Sequence, residues 1–518
     1  MSNKNSAIQN IWQKIGLAVG LVGMFCLLMY SLPLGLKPTR VWLVFALAAI
    51  LGAVLSYTYG LYARHPAGVK NNGIWSNSLT NRGLWGWISA LALTGLYVLL
   101  YWYPEYLGYY PESGNRGLIQ VFDPLSYVLN GRPATQWFVY GTLYTLAILA
   151  FGLKFIYKYR HNRYQIVSTL SVMFFQLIFA FLLPEVLTRL NPEQAYFAKD
   201  VKNMWPLNYY FFEDWHLSAM INGGKLGSFM LYSGLALVFI ISPLLTYFYG
   251  KRWYCSWVCG CGGLAETAGD PFRHLSDKSS KAWKIEKWSI HIVLVLITVT
   301  TIAVIYAFLR QAESSYLINT SQFVYGTVIL FLGLMGVIYW FKRRALSSEV
   351  INIMAALGVI IICVLLLNYF AGRDEAFFIH HGVLKSWYGF FIGAAFSGVI
   401  GVGFYPLLGN RVWCRFGCPA AAIMGIQQIL FSRFRITTNG GQCISCGNCS
   451  TYCEMGIDVR AYAQQGQNIV RASCVGCGVC SAVCPRGVLK LENGPVGNRF
   501  IELPLAKITG SAEFMIVR

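Results

Sequence analysis

The sequence predicts an all-α multi-pass membrane protein of about ten transmembrane helices, followed by a C-terminal cytoplasmic α+β domain built around cysteines. Three observations predict it. Of 518 residues, 56% are hydrophobic and only 12% charged, where soluble domains carry roughly 25% charged residues. Apolar runs near the length needed to cross a bilayer recur as far as residue 408,. Eight of the 15 cysteines fall between Cys443 and Cys484.

In order, the apolar runs lie near 12–32, 41–62, 84–104, 137–157, 164–187, 226–249, 288–309, 322–341, 350–370 and 387–408. The first is long enough to span and has no small-residue cleavage site after it, so it reads as a helix and not a signal peptide. Ten spans place both termini on one side. With the N-terminus in the cytoplasm, 30 of the 41 lysines and arginines lie inside and 11 outside, the asymmetry that sets topology in bacterial inner membranes. The short clusters "KYRHNR" (158–163) and "KRR" (342–344) carry that argument. The net charge of +20 is therefore read as a topology device and not as a nucleic-acid footprint. Lipid is the expected surrounding, in the bacterial cytoplasmic membrane. Cys26 and Cys363 each sit alone in an apolar run and read as packing residues.

The chain divides into an N-terminal membrane module of about five helices with long outer loops (1–225), a membrane core with two C-x3-C motifs (226–425), and a cytoplasmic domain with its tail (426–518). The last holds "CISCGNCSTYC" (443–453) and "CVGCGVCSAVCP" (474–485). Each is C-x2-C-x2-C-x3-C, the run of a two-cluster bacterial-type ferredoxin domain. Three cysteines on a tight loop take three corners of a cubane, and the fourth reaches the other cluster. This assigns Cys443, Cys446, Cys449 and Cys484 to one [4Fe-4S] cluster, and Cys474, Cys477, Cys480 and Cys453 to the second. Zinc also binds paired CxxC motifs, but two full runs with Pro485 after the second favour iron. Glu454 stands where the first run usually has proline.

A second set of cysteines flanks two helix ends. "KRWYCSWVCGCGG" (251–263) and "GNRVWCRFGCP" (409–419) match as an internal repeat: Gly250 with Gly409, Arg252 with Arg411, Cys255 with Cys414, and Cys259 with Cys418. C-x3-C puts two thiols on one face of a helical turn. Two such turns facing each other would offer four soft ligands, which suit iron–sulfur, zinc or Cu(I). Arg252, Arg411 and Arg415 would offset their charge, and Cys261 is a spare ligand or resolving thiol. Unrelated structural dithiols are the plainer alternative. Both pairs are expected at the inner membrane rim.

No haem b is expected, because axial histidines on facing spans are lacking: of seven histidines only His291 lies in a run. His65, His161 and His274 fall in inside loops, and His216, His380 and His381 outside. The outer segments "FFEDWH" (211–216), with Glu213, Asp214 and His216, and "IHH" (379–381), near Asp374 and Glu375, could exchange protons beside a quinone headgroup or be ordinary polar loops. No glycine-rich nucleotide loop in strand–helix context is present.

The motifs "CSWVC" and "CRFGCP", the two cluster runs and "GIDVR" (456–460) resemble the membrane polyferredoxins of the NapH, NosR and CcoG type. The resemblance spans about 240–490. Gly260 departs from it, standing where the first motif would have proline, and no flavin-binding domain like that of NosR is present. The resemblance implies the electron-transfer component of a membrane oxidoreductase complex. Single electrons would pass between the ferredoxin domain and quinone or an outer-side redox subunit holding flavin or metal. It implies, as rivals, a copper or metalloenzyme assembly factor and a redox-sensing membrane regulator.

Overall fold

The computed structural model describes residues 11–31, 39–63, 82–192, 211–311, 318–342 and 348–494. Long helices dominate: α1 (Ile11–Ser31), α2 (Arg40–Tyr62), α3 (Leu84–Trp102), α4 (Gln136–Lys158), α5 (Arg163–Leu190), α6 (Gly224–Tyr249), a short α7 (Gly260–Thr267), α8 (Ser280–Gln311), α9 (Thr320–Lys342), α10 (Ser348–Phe370), α11 (His381–Ile400) and α12 (Pro419–Phe431). Among the described residues nine helices are long and apolar enough to cross a membrane. The tenth expected span is α10, whose described apolar stretch Ala355–Phe370 is shorter. Side chains such as Val41, Trp340 and Phe370, each at least 70% exposed, form the outer surface. An apolar surface of this extent on spanning-length helices suits a lipid surrounding.

Local chemistry explains the helix details. Asn162 caps α5, its Oδ1 accepting from the amides of Tyr164 (3.0 Å) and Gln165 (3.3 Å). Within α5 and α6, π-helical stretches at Phe175–Leu182 and Leu237–Ile241 run up to Pro184 and Pro243. A proline inside a helix cannot donate to the preceding turn and crowds its carbonyl, and a widened turn relieves both. Helices α1 and α2 approach closely through Gly16 and Gly23: a Cβ on Gly16 would sit 2.7 Å from the Ala53 carbonyl oxygen.

After α12 the chain forms β1 (Phe434–Thr438) and, past both cysteine runs, β2 (Leu489–Asn493), antiparallel with Ile436 opposite Leu491. Phe434, Ile436, Ile457, Val475 and Leu489 build the domain's core. That core does not end at the domain edge. Cys255, Ala420 and Met424 from the membrane part are buried in the same cluster.

Candidate metal centres

The two cysteine runs fold as near-copies. Ser445 (φ 58°) and Gly447 (φ 77°) of the first correspond to Gly476 (φ 65°) and Gly478 (φ 75°) of the second. Left-handed backbone at both positions of each loop turns the chain tightly enough to aim thiols at one point. Cys443, Cys446, Cys449 and Cys484 line one pocket. Cys453, Cys474 and Cys480 lie within electrostatic reach of one another, and Cys477 adjoins Cys480. Backbone amides face the sulfurs: Ile457 donates to Cys453 Sγ at 3.4 Å, and the amides of Gly476 and Ser450 to Cys474 and Cys449. Such donors stabilise an anionic thiolate cluster, so the residues present fit [4Fe-4S] groups.

The two loops differ in their surroundings. The first is open: Ile444 is 56% exposed, and Ser445 and Cys446 are exposed with it. The second is clamped to the membrane helices. Tyr164 OH donates to the Gly476 carbonyl (2.8 Å), Gln165 Nε2 to Cys477 O (2.7 Å), Ser256 Oγ to Val475 O (2.9 Å) and Gln428 Nε2 to Cys474 O (3.0 Å). A Cβ at Gly476 would meet Arg252 Cβ at 2.7 Å, so only glycine fits where Ser445 stands in the first loop. The second cluster therefore faces the helix bundle and the first faces away.

The C-x3-C repeat carries through to geometry. Gly250 (φ 64°, ψ −178°) and Gly409 (φ 96°, ψ 171°) make the same turn. Cys259 sits at the N-cap of α7 with φ −68° and ψ 123°, and Cys418 at that of α12 with φ −78° and ψ 115°. A helix N-terminus favours thiolate. The Ala421 amide donates to Cys418 Sγ (3.4 Å), and the amides of Cys261 and Gly262 face the Cys259 sulfur. Arg411 Nη1 reaches Cys414 Sγ at 3.7 Å. All five thiols share one site. Cys414 lies within electrostatic reach of Cys255, Cys259, Cys261 and Cys418, and the Cys259 and Cys261 thiols are close enough to hydrogen-bond.

The first arm of the site reaches inward from the helix ends. A Cβ on Gly260 would lie 2.4 Å from Gln176 Oε1 and 3.4 Å from the Tyr144 ring. Gln176 and Tyr144 each stand about 20 Å along their helices from the ends nearest the ferredoxin domain, at 1.5 Å per residue. Segment 251–259 thus enters the bundle and α7 returns toward its edge, with Gly263 against Val172 and Ile148. The sequence placed these cysteines at the rim because the apolar runs end at 249 and 408. The short glycine-rich α7 gives no span-length signal.

Local contacts explain both departures from the expected motifs. Proline suits the first position of a helix, and Pro419 takes it in α12. Gln176 leaves no room for a ring at Gly260. Glu454, fully buried, pairs with Arg273 (2.5 Å) and Arg411 (3.0 Å) and accepts from Asn410 Nδ2 (3.2 Å). Arg411 also pairs with Glu266 (2.6 Å), and Arg273 with Asp270 (2.9 Å), which binds Lys158 (2.6 Å). Three cations and three carboxylates balance, as buried charge requires. Burial by itself raises the Glu454 carboxyl, but Arg273 and Arg411 outweigh it and hold it below the usual range. Arg415, read as offsetting thiol charge, instead binds Glu286 at 2.6 Å. Arg252 stacks on Phe434 at 4.7 Å and donates to Asn493.

The side chains of segments 211–216 and 374–381 make local contacts. Glu213 accepts from Trp215 Nε1 at 2.7 Å and pairs with Lys385. His216 is buried with Nδ1 3.1 Å from Phe211 O, and the Asp214 side chain lies outside the described residues. Glu375 faces His380 Nε2 (3.6 Å) and His381 Nδ1 (3.7 Å). His291 Nδ1 lies 2.5 Å from the Lys287 carbonyl of its own helix, His161 Nε2 lies 3.2 Å from Ala482 O, and His65 falls outside the described residues.

A family described as a 4Fe-4S dicluster domain matches residues 442–489, and one described as a 4Fe-4S binding domain matches 232–282 and again 390–436. Both matches are to 4Fe-4S binding domains. The second description falls on both arms of the C-x3-C repeat. A protein of Escherichia coli (strain K12) named "Putative electron transport protein YccM" is 42% identical over 50 residues, 10% of this chain. The matched part covers 14% of that relative's length. No solved structure matches.

Proposed function

We propose that this chain is a membrane electron-transfer protein in which single electrons pass between the ferredoxin domain and a third, cysteine-held iron–sulfur centre inside the helix bundle. The centre would be held by Cys255, Cys259, Cys414 and Cys418, with Cys261 supporting Cys259. The observation that carries this reading is the shared burial of Cys255 with Cys474 and Cys480 of the second cluster loop in one core. An [4Fe-4S] group supplies a one-electron couple when bound.

The chain's own residues fix the spacing and screen the charge. Ser256, Tyr164, Gln165 and Gln428 hold the second loop against the bundle, and Arg411 lies between Glu454 and Cys414. The thiol spacing favours a cluster over a single ion. Four sulfurs around tetrahedral zinc lie about 3.8 Å apart, yet among the described residues no three cysteine sulfurs are mutually within 4.8 Å. Beyond the bundle, electrons would exchange with quinone or a redox subunit on the side opposite the ferredoxin domain. The membrane would be the bacterial inner membrane, with both termini cytoplasmic.

The test is EPR of the anaerobically reduced protein, with Cys255→Ser and Cys414→Ser variants. A signal lost in both variants while the ferredoxin signals persist supports the centre. Identical spectra in all three proteins would sink it.

A further inference from the structure

The two cluster loops share one backbone geometry, but only the loop at 474–480 is covered. The loop at 443–449 presents Ile444, 56% exposed, with exposed Cys446 beside it. Arg460 and Arg486 line the same pocket, both exposed. Among the described residues neither pairs with a carboxylate, whereas Arg273, Arg411 and Arg415 all do.

Charge in the domain is lopsided. Residues 433–494 hold six lysines and arginines against three acidic residues. Glu454 is turned into the membrane part, and Asp458 accepts from Ser450 Oγ at 2.6 Å. Two of the three acids are thus engaged within the fold, and the open loop keeps a basic rim. An apolar centre inside a charged rim is the anatomy of a protein-docking patch. Its sign selects an acidic partner and steers the encounter.

We propose that the face around Ile444, Arg460 and Arg486 docks a soluble, acidic, one-electron carrier protein. This rests on the reading of the ferredoxin domain as one end of an electron path and adds the partner at that end. The step moves one electron: the carrier's reduced cofactor loses it and the cluster held by Cys443, Cys446, Cys449 and Cys484 gains it. No bond forms and no proton moves. Ile444 would contact the carrier's apolar patch while the two guanidinium groups meet its carboxylates.

The test uses the full-length protein in detergent, anaerobic, followed by stopped-flow bleaching of cluster absorbance. Reduced flavodoxin serves as the acidic protein probe and reduced methyl viologen as a small cationic one. Raising salt from about 50 to about 500 mM should slow bleaching by flavodoxin roughly tenfold. The Arg460→Glu/Arg486→Glu variant should slow it as much, and neither change should slow viologen. Salt dependence needs no variant, and iron content checks that the variant is loaded. Flavodoxin bleaching indifferent to salt and to charge reversal, with viologen still effective, overturns the docking face and leaves the electron path standing. Loaded protein that neither probe bleaches overturns both.

Discussion

The Glu454 carboxylate lies 3.0 Å from the Arg411 guanidinium, and neither side chain is exposed. This pair joins the turn after the first cysteine run to the second arm of the membrane repeat. Breaking one partner of a buried pair leaves a bare charge and costs roughly 3–5 kcal/mol. Glu454→Gln should therefore lower thermal stability and open the 426–494 region to protease. Restoring the usual residue, Glu454→Pro, should do the same. Protease resistance equal to wild type in both variants would deny Glu454 its joining role.

Gly260 and Pro419 hold equivalent places but should not be interchangeable. Gly260→Pro must displace Gln176, whose Oε1 stands 2.4 Å from any added Cβ. Overpacking of this kind costs roughly 1–3 kcal/mol. Pro419→Gly only loosens a helix start and should cost about 1 kcal/mol or less. Melting temperatures of the two variants decide it, and equal losses would contradict the crowding argument.

The clamp on the second loop can be removed one bond at a time. Gln165→Ala leaves the Cys477 carbonyl without its donor, at about 1–3 kcal/mol. Tyr164→Phe does the same for Gly476. We expect each to alter the EPR signal of one ferredoxin cluster and spare the other, because the loop at 443–449 has no such cover. Equal perturbation of both signals would refute the asymmetry.

Strong acid should release Asp270 from the network. Burial alone would raise its carboxyl, but Lys158 and Arg273 hold it at about 2, below its ordinary 3.8. A group lowered on folding stabilises the protein above its unfolded value and loses that contribution as pH falls from about 4 toward 2. The contribution is at most about 2 kcal/mol. Asp270→Asn should flatten this acid limb in melts between pH 6 and pH 3, and an unchanged limb would rule the pair out as its source.

Much of this was legible in the chain itself. Apolar run length gave the helices, and C-x2-C-x2-C-x3-C gave both cluster loops. The match of Gly250 to Gly409 anticipated two turns that the structure shows to be alike. Depth was not legible, because α7 is eight residues long and is held inside by Gln176 and Tyr144, side chains that no local pattern links to Gly260. Glu454 was visible as an anomaly, but its partners Arg273 and Arg411 lie 181 and 43 residues away and no spacing rule spans that. The module boundary drawn at 225 separates Tyr164 and Gln165 from the cluster loop they cap, a contact set by packing alone.

The central claim is a third iron–sulfur centre within the helix bundle. Iron and acid-labile sulfide per chain, on anaerobically purified protein, test it most directly. About twelve of each is the expected result, falling to about eight in a variant with Cys255, Cys259, Cys414 and Cys418 all replaced by serine. About eight of each in the wild-type protein would contradict it, leaving the ferredoxin pair as the whole iron inventory.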